Sequence, residues 1–504
     1  MIPSAAPVPE ASVTQVLFGE RRRVGPALVD ATSGRTLSYA DLTSAVWSVA
    51  AGLIREGLGP GTVVALHLPD TPEFAVAAHG VMAAGAVLTP ARPTITAETM
   101  ARQLTETGAR AVITWPVLLD IALEAVKSAR VERVFCFGAE PDVEPFSRLW
   151  SASPPEHPGH TPATSPALIS YTRGTTGPPK GVRLTHRNLV AGFLQFASAC
   201  ALSDTDTVLS AIPFADVIGL AGVLNPALQA GAIVVTRSGT GRHDLLRTLQ
   251  DHRVTVALLT PELVEILAYE QMVSRYNLRL LRSIISTGGP LRPEIARACS
   301  IRLRCPVRQA YGLAETAGLT HLNLRAIEEG TLDSVGPGLS WTGWRIVDPA
   351  GTDLPSYQPG ELRIRGPMVT SGYVPDRPLP EWLPTGDTAF ADDHGRVYIM
   401  GRISEAESAP PTAPDGVLAA HPAVTEAVVV AVPDPGLGLV PHAFVVLREE
   451  VSAADLLTYV NSHVQSYDQI HAVHVTEVIP RSSSGRILRR ALIERARLSP
   501  DEGR

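Results

Sequence analysis

The sequence predicts an α/β protein that has a large N-terminal domain and a small α+β domain at the C-terminus. Three observations lead to this class. Helix-period segments alternate with β-rich runs over residues 37–286, short strands and turns follow Asp333, and the segment after Arg402 has a compact helix and strand pattern of its own. We therefore expect two α/β subdomains and a small β-rich subdomain in an N-terminal domain of residues 1–401, followed by a C-terminal domain of residues 402–504.

The first α/β stretch alternates a helical period at Tyr39–Glu56 with β-rich runs such as Val63–Leu68 and Ala111–Thr114. The apolar run Phe74–Leu88 is too short to span a membrane and predicts a buried helix. Ala167–Tyr171 then predicts a strand whose carboxyl end leads into a loop rich in glycine and threonine. Anion sites lie at such strand ends in α/β sheets, so this loop is a candidate ligand site.

The second α/β stretch contains four predicted strands, separated by helical patterns: Val208–Ile212, Ala232–Thr236, Val254–Leu259 and Ser283–Ser286. The β-rich subdomain is predicted from three shorter strands: Trp344–Val347, Gly360–Ile364 and Arg396–Met400.

Composition excludes several classes of protein. The net charge of −7 disfavours a nucleic-acid binder. Residues 1–13 have neither a basic nor an apolar signal region, so we expect a cytoplasmic protein with no membrane segment. The 4 cysteines form no Cys-x-x-Cys pair, which predicts reduced and mostly buried thiols.

The loop at residues 171–182 has the chemistry of a phosphate site. It reads Tyr-Thr-Arg-Gly-Thr-Thr-Gly-Pro-Pro-Lys-Gly-Val, and its Lys180 is notable because Lys127 is the only other lysine in the chain. Glycines let backbone N–H groups face an anion, threonine hydroxyls add donors, and an ammonium adds a mobile charge. The Walker motif is excluded, since Pro179 precedes the lysine and Gly181 follows it. A flexible linker is the alternative interpretation of this segment.

Further segments follow the loop in a fixed order: Leu184-Thr-His-Arg-Asn-Leu189, Gln309-Ala-Tyr-Gly-Leu-Ala-Glu-Thr316, Trp382-Leu-Pro-Thr-Gly-Asp387, Gly401-Arg402, His421-Pro-Ala-Val424 and Ile479-Pro-Arg-Ser-Ser-Ser-Gly-Arg-Ile-Leu-Arg-Arg490. With these gaps, the chain from about Leu37 to Leu492 resembles the ANL superfamily of adenylate-forming enzymes, which contains acyl-CoA synthetases, peptide-synthetase adenylation domains and luciferases. The resemblance implies ATP and Mg²⁺ as cofactors, a small organic acid and a small nucleophile as partners, and a mobile C-terminal domain.

The resemblance also assigns residues to the nucleotide. It implies that Lys180 binds the pyrophosphate half of ATP, that Glu315 holds Mg²⁺ with help from Thr175, that Tyr311 packs on adenine and that Asp387 accepts hydrogen bonds from the ribose. An Asp that only stabilises a turn is the alternative at 387. The full nucleotide set is Thr172, Arg173, Gly174, Thr175, Thr176, Gly177, Lys180, Gly288, Gly289, Pro290, Ala310, Tyr311, Gly312, Asp387 and Arg402. The expected acid pocket consists of Asp216, Val217, Gly219, Thr260, Ser286 and Gly288.

The chain departs from the family pattern near its C-terminus. Arg486 stands where the family usually has the lysine that bridges the acid and the α-phosphate during adenylation, so Arg486 joins Lys180 and Glu315 as the expected catalytic residues. Guanidinium keeps the charge but not the compact geometry of ammonium. Arg486 is therefore either tolerated drift or a mark of altered function in the C-terminal domain.

Two more departures bear on the acceptor and the acid. Ser404 stands at the hinge position, and residues 405–416 contain no lysine and three prolines, so they lack the hairpin that lines the pantetheine tunnel in thioester-forming members. Asp216 replaces a histidine of the acyl site and is a candidate to bind an amino group or act as a base, unless it is an ordinary solvated Asp. Near the phosphates, Arg173 and Ala314 replace a Ser and a Thr of the family.

These departures favour an adenylating ligase that activates a small organic acid, with aromatic acids among the candidates, and transfers it to a nucleophile other than coenzyme A, such as an amine. Three alternatives stay open: an acyl- or aryl-CoA ligase, a nitrite-activating member that makes diazo groups, and a nucleotide-binding homologue without catalytic activity.

Overall fold

The computed structural model describes residues 7–19, 23–150, 161–172, 179–237, 241–326, 330–375, 377–403, 413–434, 438–464, 469–480, 492–493 and 495–496. The chain divides into two compact units. The first comprises Met1–Thr385 and Phe390–Ile399, and the second comprises Gly386–Ala389 and Met400–Arg504.

The helices are α1 (Val13–Phe18), α2 (Tyr39–Arg55), α3 (Pro72–Ala83), α4 (Ala97–Thr107), α5 (Leu119–Val126), α6 (His186–Ala199), α7 (Val217–Gly219), α8 (Asn225–Ala230), α9 (Arg242–Asp251), α10 (Pro261–Tyr269), α11 (Pro293–Leu303), α12 (Ala413–Ala419) and α13 (Ala453–His463).

The strands up to the phosphate loop are β1 (Pro26–Asp30), β2 (Thr36–Ser38), β3 (Val63–His67), β4 (Val87–Ala91), β5 (Ala109–Thr114), β6 (Arg133–Cys136), β7 (Glu144–Pro145) and β8 (Pro166–Tyr171). Those after it are β9 (Gly181–Thr185), β10 (Thr207–Ser210), β11 (Ile233–Thr236), β12 (Val256–Leu259), β13 (Ser283–Ser286), β14 (Val307–Leu313), β15 (Gly318–Leu322), β16 (Gly343–Val347), β17 (Gly360–Arg365), β18 (Gly372–Tyr373), β19 (Arg377–Pro378), β20 (Leu383–Ala391), β21 (Val397–Arg402), β22 (Val424–Asp434), β23 (Gly438–Leu447) and β24 (Ala472–Val475).

Two large sheets form the centre of the first unit. One has the order β15-β14-β13-β12-β10-β11-β1-β2, and its strands from β14 to β1 are parallel. The other has the order β19-β18-β9-β8-β4-β3-β5-β6-β7, with a parallel run from β8 to β7. The carboxyl ends of parallel strands lie at one edge of a sheet, where α/β proteins place their ligand sites. A third sheet has the order β16-β17-β20-β21, so the predicted α/β class with a β-rich subdomain is confirmed.

The second unit has a small core of its own. Strands β22 and β23 are antiparallel, β24 joins β23 in parallel, and α12 and α13 supply Leu418, Leu456 and Val460 to the apolar cluster against the sheet. No helix in the described part of the chain is long and apolar enough to cross a membrane.

Local capping explains one of the sequence segments singled out above. In Leu184-Thr-His-Arg-Asn-Leu189, the Thr185 hydroxyl accepts from the backbone N–H of Asn188, and the side-chain Oδ1 of Asn188 accepts from the backbone N–H of Thr185, which forms a capping box at the start of α6. The Asn188 amide also donates to the carbonyl oxygens of Pro367 (2.7 Å) and Val369 (2.9 Å). The segment therefore fixes α6 against the chain that leads into β18.

The prediction of one buried helix over Phe74–Leu88 is wrong in its second half. Helix α3 ends at Ala83, Gly85 turns with φ +74°, and Val87–Leu88 begin the fully buried strand β4. A buried helix and a buried strand are both continuous apolar runs, so the hydrophobic pattern alone does not separate them. The predicted strands of the second α/β stretch are confirmed, with Ser283–Ser286 at its predicted bounds.

Candidate functional site

The base of the phosphate loop is closed by two hydrogen bonds. The N–H of Thr172 donates to the carbonyl oxygen of Lys180 at 3.0 Å, and the N–H of Lys180 donates to the Thr172 hydroxyl at 3.0 Å. Residue 181 must be glycine, because a Cβ there would lie 2.4 Å from the Val374 side chain. The neck of the loop is thus held in the sheet, and the exposed side chain of Lys180 stands beside it. The predicted loop residues Arg173, Gly174, Thr175, Thr176 and Gly177 lie outside the described residues.

Lys180 and Glu315 are brought together through a tyrosine. The ammonium of Lys180 lies 5.5 Å from the centre of the Tyr373 ring, and the Tyr373 hydroxyl donates to Glu315 Oε1 at 2.9 Å. Glu315 lies in a 3-10 turn, Ala314–Thr316, and its carbonyl oxygen accepts from the N–H of Thr370 at 2.8 Å. The Lys180 ammonium, the Tyr373 ring and the Glu315 carboxylate therefore form one cluster beside the C-terminal end of the phosphate loop.

The glutamate fits the role of a magnesium residue. Groups of three or more metal-ligating side chains are absent from the described residues. Mg²⁺ in nucleotide sites is usually bound by one or two protein carboxylates together with phosphate oxygens, so a single partly exposed carboxylate beside a lysine is sufficient.

The predicted adenine residue Tyr311 lies on β14 opposite His321 of β15. Its ring centre is 5.9 Å from that of His321, in an edge-to-face arrangement. Burial lowers the pKa of His321 to about 3, so the imidazole that packs against the Tyr311 ring is neutral. Gly312 is required here, because a Cβ would lie 2.1 Å from the carbonyl oxygen of Gly318.

Gly288, Gly289 and Pro290 form an exposed turn after β13, where Gly288 has φ +87°. The next residue, Leu291, donates its N–H to the Gln309 side chain at 2.7 Å. Gln309 precedes Ala310 and Tyr311 on β14, so this buried amide ties the glycine turn to the tyrosine strand. We did not predict a role for Gln309, although it opens the quoted segment.

Asp387 and Arg402 pair directly within the second unit. Asp387 Oδ1 lies 2.9 Å from Arg402 Nε, and the residue is only 4% exposed. Gly386 makes the turn with φ +72°, and its carbonyl oxygen accepts from the N–H of Ile403. The carboxylate of Asp387 is therefore buried and charge-paired beside this turn.

Asp216, which the sequence predicts at the acyl site, is paired with an arginine. Arg92 Nε donates to Asp216 Oδ1 at 2.6 Å, and the two side chains are 38% and 12% exposed. Arg92 follows β4 of one large sheet, whereas Asp216 follows β10 of the other, so strand ends from both sheets meet here. The solvated Asp that we kept as an alternative is wrong.

A second carboxylate, Asp70, lies near this pair. Burial raises the pKa of the Asp70 carboxyl to about 7, and the negative charge of Asp216 acts in the same direction. The N–H of Phe214, which donates to Asp70 Oδ1 at 2.9 Å, and the Arg237 guanidinium act in the opposite direction. Asp70 is therefore divided between its neutral and ionised forms near neutral pH.

The remaining pocket residues lie on strand ends and short helices of the first unit. Val217 and Gly219 form α7, and a Cβ at Gly219 would lie 2.1 Å from the carbonyl oxygen of Pro213. A π-helical segment, Leu220–Leu224, follows at once, and such segments are frequent at functional sites. Thr260 precedes α10. Ser286 ends β13, fully buried, with no hydrogen-bond partner for its hydroxyl among the described residues.

Besides Gln309, three residues of this region were missed from the sequence: Tyr373, Arg92 and Asp70. Arg92 and Asp70 follow parallel strands closely, so the rule that ligand sites lie at carboxyl strand ends was a usable signal. Tyr373 gave no signal beyond an aromatic after a glycine. The predicted catalytic residue Arg486 and the hinge residue Ser404 lie outside the described residues.

Comparison with known proteins gives consistent matches over nearly the whole chain. Residues 18–374 match the family described as AMP-binding enzyme, and residues 415–486 match the AMP-binding enzyme C-terminal domain. The 4-coumarate–CoA ligase 5 of Oryza sativa subsp. japonica is 32% identical over 503 residues, which cover 95% of this chain and 92% of that relative.

Solved structures give the same fold. A benzoate CoA ligase from Burkholderia xenovorans LB400 is similar with a TM-score of 0.75 at 25% identity, covering 95% of this chain and 99% of that one. The amide bond synthetase McbA from Marinactinospora thermotolerans is similar with a TM-score of 0.71 over 96% of this chain and 99% of that one. At 24% identity the second likeness concerns the fold alone.

Proposed function

The chain belongs to the AMP-binding enzyme family, the ANL superfamily of adenylate-forming ligases that use ATP and Mg²⁺, and from this premise we propose its substrate and acceptor. It activates a small aromatic acid as the AMP adduct, releases pyrophosphate, and transfers the acyl group to a nucleophile other than coenzyme A, such as an amine, in the cytoplasm. The observation that carries the proposal is the Arg92–Asp216 pair at the acyl site, where the family has a histidine in place of Asp216.

The nucleotide half of the reaction follows from charge and position. Lys180 neutralises the pyrophosphate that leaves, because its ammonium stands at the neck of the loop. Glu315 would hold Mg²⁺, which when bound withdraws charge from the phosphate oxygens. Asp387 accepts hydrogen bonds from the two ribose hydroxyls, and Arg402 orients its carboxylate. Arg486, in place of the usual lysine, bridges the acid and the α-phosphate.

The acid half depends on a polar pair in an otherwise apolar region. Arg92 and Asp216 offer a donor and an acceptor side by side, next to the buried residues Val217 and Phe214. A flat ring that carries a hydroxyl or amino group matches this combination. The names of the relatives, which refer to 4-coumarate and benzoate, also support an aromatic acid.

The acceptor is proposed from the sequence between the two family matches. Residues 405–416 have no lysine, no glycine before Gly416, and three prolines. Proline lacks the N–H that a hairpin ladder needs, so these residues are poorly suited to form a wall for a pantetheine arm. An amine needs no such tunnel.

A thioester-forming ligase is the second candidate, and one observation favours it. The curated relatives with 30–32% identity over more than nine tenths of this chain are named as 4-coumarate–CoA ligases or ligase-like proteins. The two candidates share the adenylation step and differ in the acceptor, and therefore in the final product.

The test is product analysis by mass spectrometry. The enzyme is incubated with ATP, Mg²⁺ and an aromatic acid, and receives coenzyme A, an amine or no acceptor. We expect an amide or the free adenylate, and no thioester above the level seen without enzyme. A thioester formed at a rate comparable to that of pyrophosphate release contradicts the proposal and establishes the CoA ligase.

A further inference from the structure

Tyr373 touches both charged residues proposed above to handle the phosphates and the metal. Its hydroxyl donates to Glu315 Oε1 at 2.9 Å, while its ring lies 5.5 Å from the Lys180 ammonium. Lys180 and Glu315 come from different parts of the first unit, the end of the phosphate loop and the turn after β14. The tyrosine is a physical link between the two.

The backbone around Tyr373 is fixed from both sides. Strand β18 pairs with β9, where Tyr373 lies opposite Val182, and the N–H of Val374 donates to the carbonyl oxygen of Gly181 at 2.8 Å. On the other side, the N–H of Thr370 donates to the carbonyl oxygen of Glu315 at 2.8 Å. The ring and hydroxyl are therefore placed by main-chain bonds to the same two segments that carry Lys180 and Glu315.

We propose that Tyr373 is a positioning residue that orients the Glu315 carboxylate and restrains the Lys180 ammonium. Both groups then have the orientation for binding Mg²⁺ and ATP before these ligands bind. The hydroxyl sets the rotation of the carboxylate by holding Oε1. The ring face attracts the ammonium and limits the rotamers of an exposed lysine. The inference rests on the roles proposed for Lys180 and Glu315.

The two contacts are separable by mutation. Tyr373→Phe keeps the ring beside Lys180 and removes the hydroxyl that binds Glu315, whereas Tyr373→Leu removes both the ring and the hydroxyl. Tyr398 offers a control, because it lies on strand β21 and its hydroxyl donates to a different carboxylate, Asp392, at 3.2 Å. Tyr398→Phe deletes a comparable tyrosine–carboxylate bond and leaves the bond to Glu315 in place.

The experiment measures ATP binding by calorimetry over a series of Mg²⁺ concentrations, with no acid or acceptor present. We expect Tyr373→Phe to raise the Mg²⁺ concentration for half-maximal ATP affinity about tenfold, as expected for a lost hydrogen bond to a charged group. Its ATP affinity without Mg²⁺ should stay within about twofold of wild type. Tyr373→Leu should weaken ATP binding in both conditions, and Tyr398→Phe should change neither.

An unchanged Mg²⁺ dependence in Tyr373→Phe, or an equal change in Tyr398→Phe, overturns the inference. Glu315→Gln separates this failure from that of the site assignment. If Glu315→Gln alters the Mg²⁺ dependence and Tyr373→Phe does not, only the role of the tyrosine fails. If neither does, Glu315 is not the metal residue. Thermal melting of each variant shows whether it is still folded. Because ATP binding is measured without acid or acceptor, the result does not depend on the identity of either substrate.

Discussion

Replacement of Asp70 by asparagine should remove a pH dependence of stability that the fold creates. Burial raises the pKa of Asp70 from its ordinary value of 3.8 to about 7. The folded chain thus binds this proton more tightly than the unfolded chain does, so the free energy of unfolding decreases as the pH rises from about 4 to about 7 and is level above that. The carboxamide of the Asp70→Asn variant never ionises, yet its oxygen can still accept from the N–H of Phe214.

The magnitude follows from the shift. At about 1.4 kcal/mol for each pKa unit, the full effect is on the order of 4 kcal/mol, of which roughly 2.5 kcal/mol falls between pH 5 and pH 8. The assay is denaturant unfolding at pH 5, 6, 7 and 8, followed by tryptophan fluorescence. We compare the free energies of unfolding of the two proteins, because titrations common to both cancel in the difference. The free energy of unfolding of Asp70→Asn should rise relative to that of wild type from pH 5 to pH 8.

Asp204→Asn is the control, since Asp204 is an exposed carboxylate shortly before β10. It should leave the pH slope of wild type unchanged. A difference between wild type and Asp70→Asn that stays constant within about 0.5 kcal/mol from pH 5 to pH 8 refutes the reasoning, because it means that Asp70 titrates normally in the folded chain.

The remaining predictions concern catalysis and are read from steady-state pyrophosphate release. Lys180→Ala and Asp387→Ala should each lower ATP-dependent turnover at least tenfold, or about 1.4 kcal/mol, because each removes a charged contact to the nucleotide; near-wild-type rates in both are inconsistent with the site assignment. Arg92→Met should raise the KM for the acid about tenfold and leave the KM for ATP within about twofold, because it removes the guanidinium donor of the proposed acid site and its ion pair with Asp216. A parallel rise in both constants argues against an acid subsite at Arg92.

Much of the fold was predictable because it depends on local pattern. The helical period of residues 39–56 and the apolar strand Ser283–Ser286 each carry their own signal, and the structure has α2 and β13 there. The error at residues 74–88 has a physical origin. Helix α3 and strand β4 are both buried and apolar, and only the turn at Gly85 separates them in the sequence.

The site was predictable only in part, because its contacts join distant residues. Arg92 and Asp216 are 124 positions apart, and Tyr373 and Glu315 are 58 apart. The chemistry of its glycine- and threonine-rich loop singled out Lys180, whereas Glu315 and Asp387 were assigned through the family resemblance. Neither source indicates which side chains contact these residues, or that Asp70 is buried enough to change its proton affinity.

The most direct test of the account is acid-dependent pyrophosphate release without coenzyme A. ATP and Mg²⁺ are supplied with a panel of hydroxy- and amino-substituted aromatic acids, amino acids, short fatty acids and nitrite, each with and without coenzyme A. The account predicts release that depends on an aromatic acid with a polar substituent and that coenzyme A does not accelerate. Release that requires coenzyme A, or that is equally strong with unsubstituted or aliphatic acids, contradicts it.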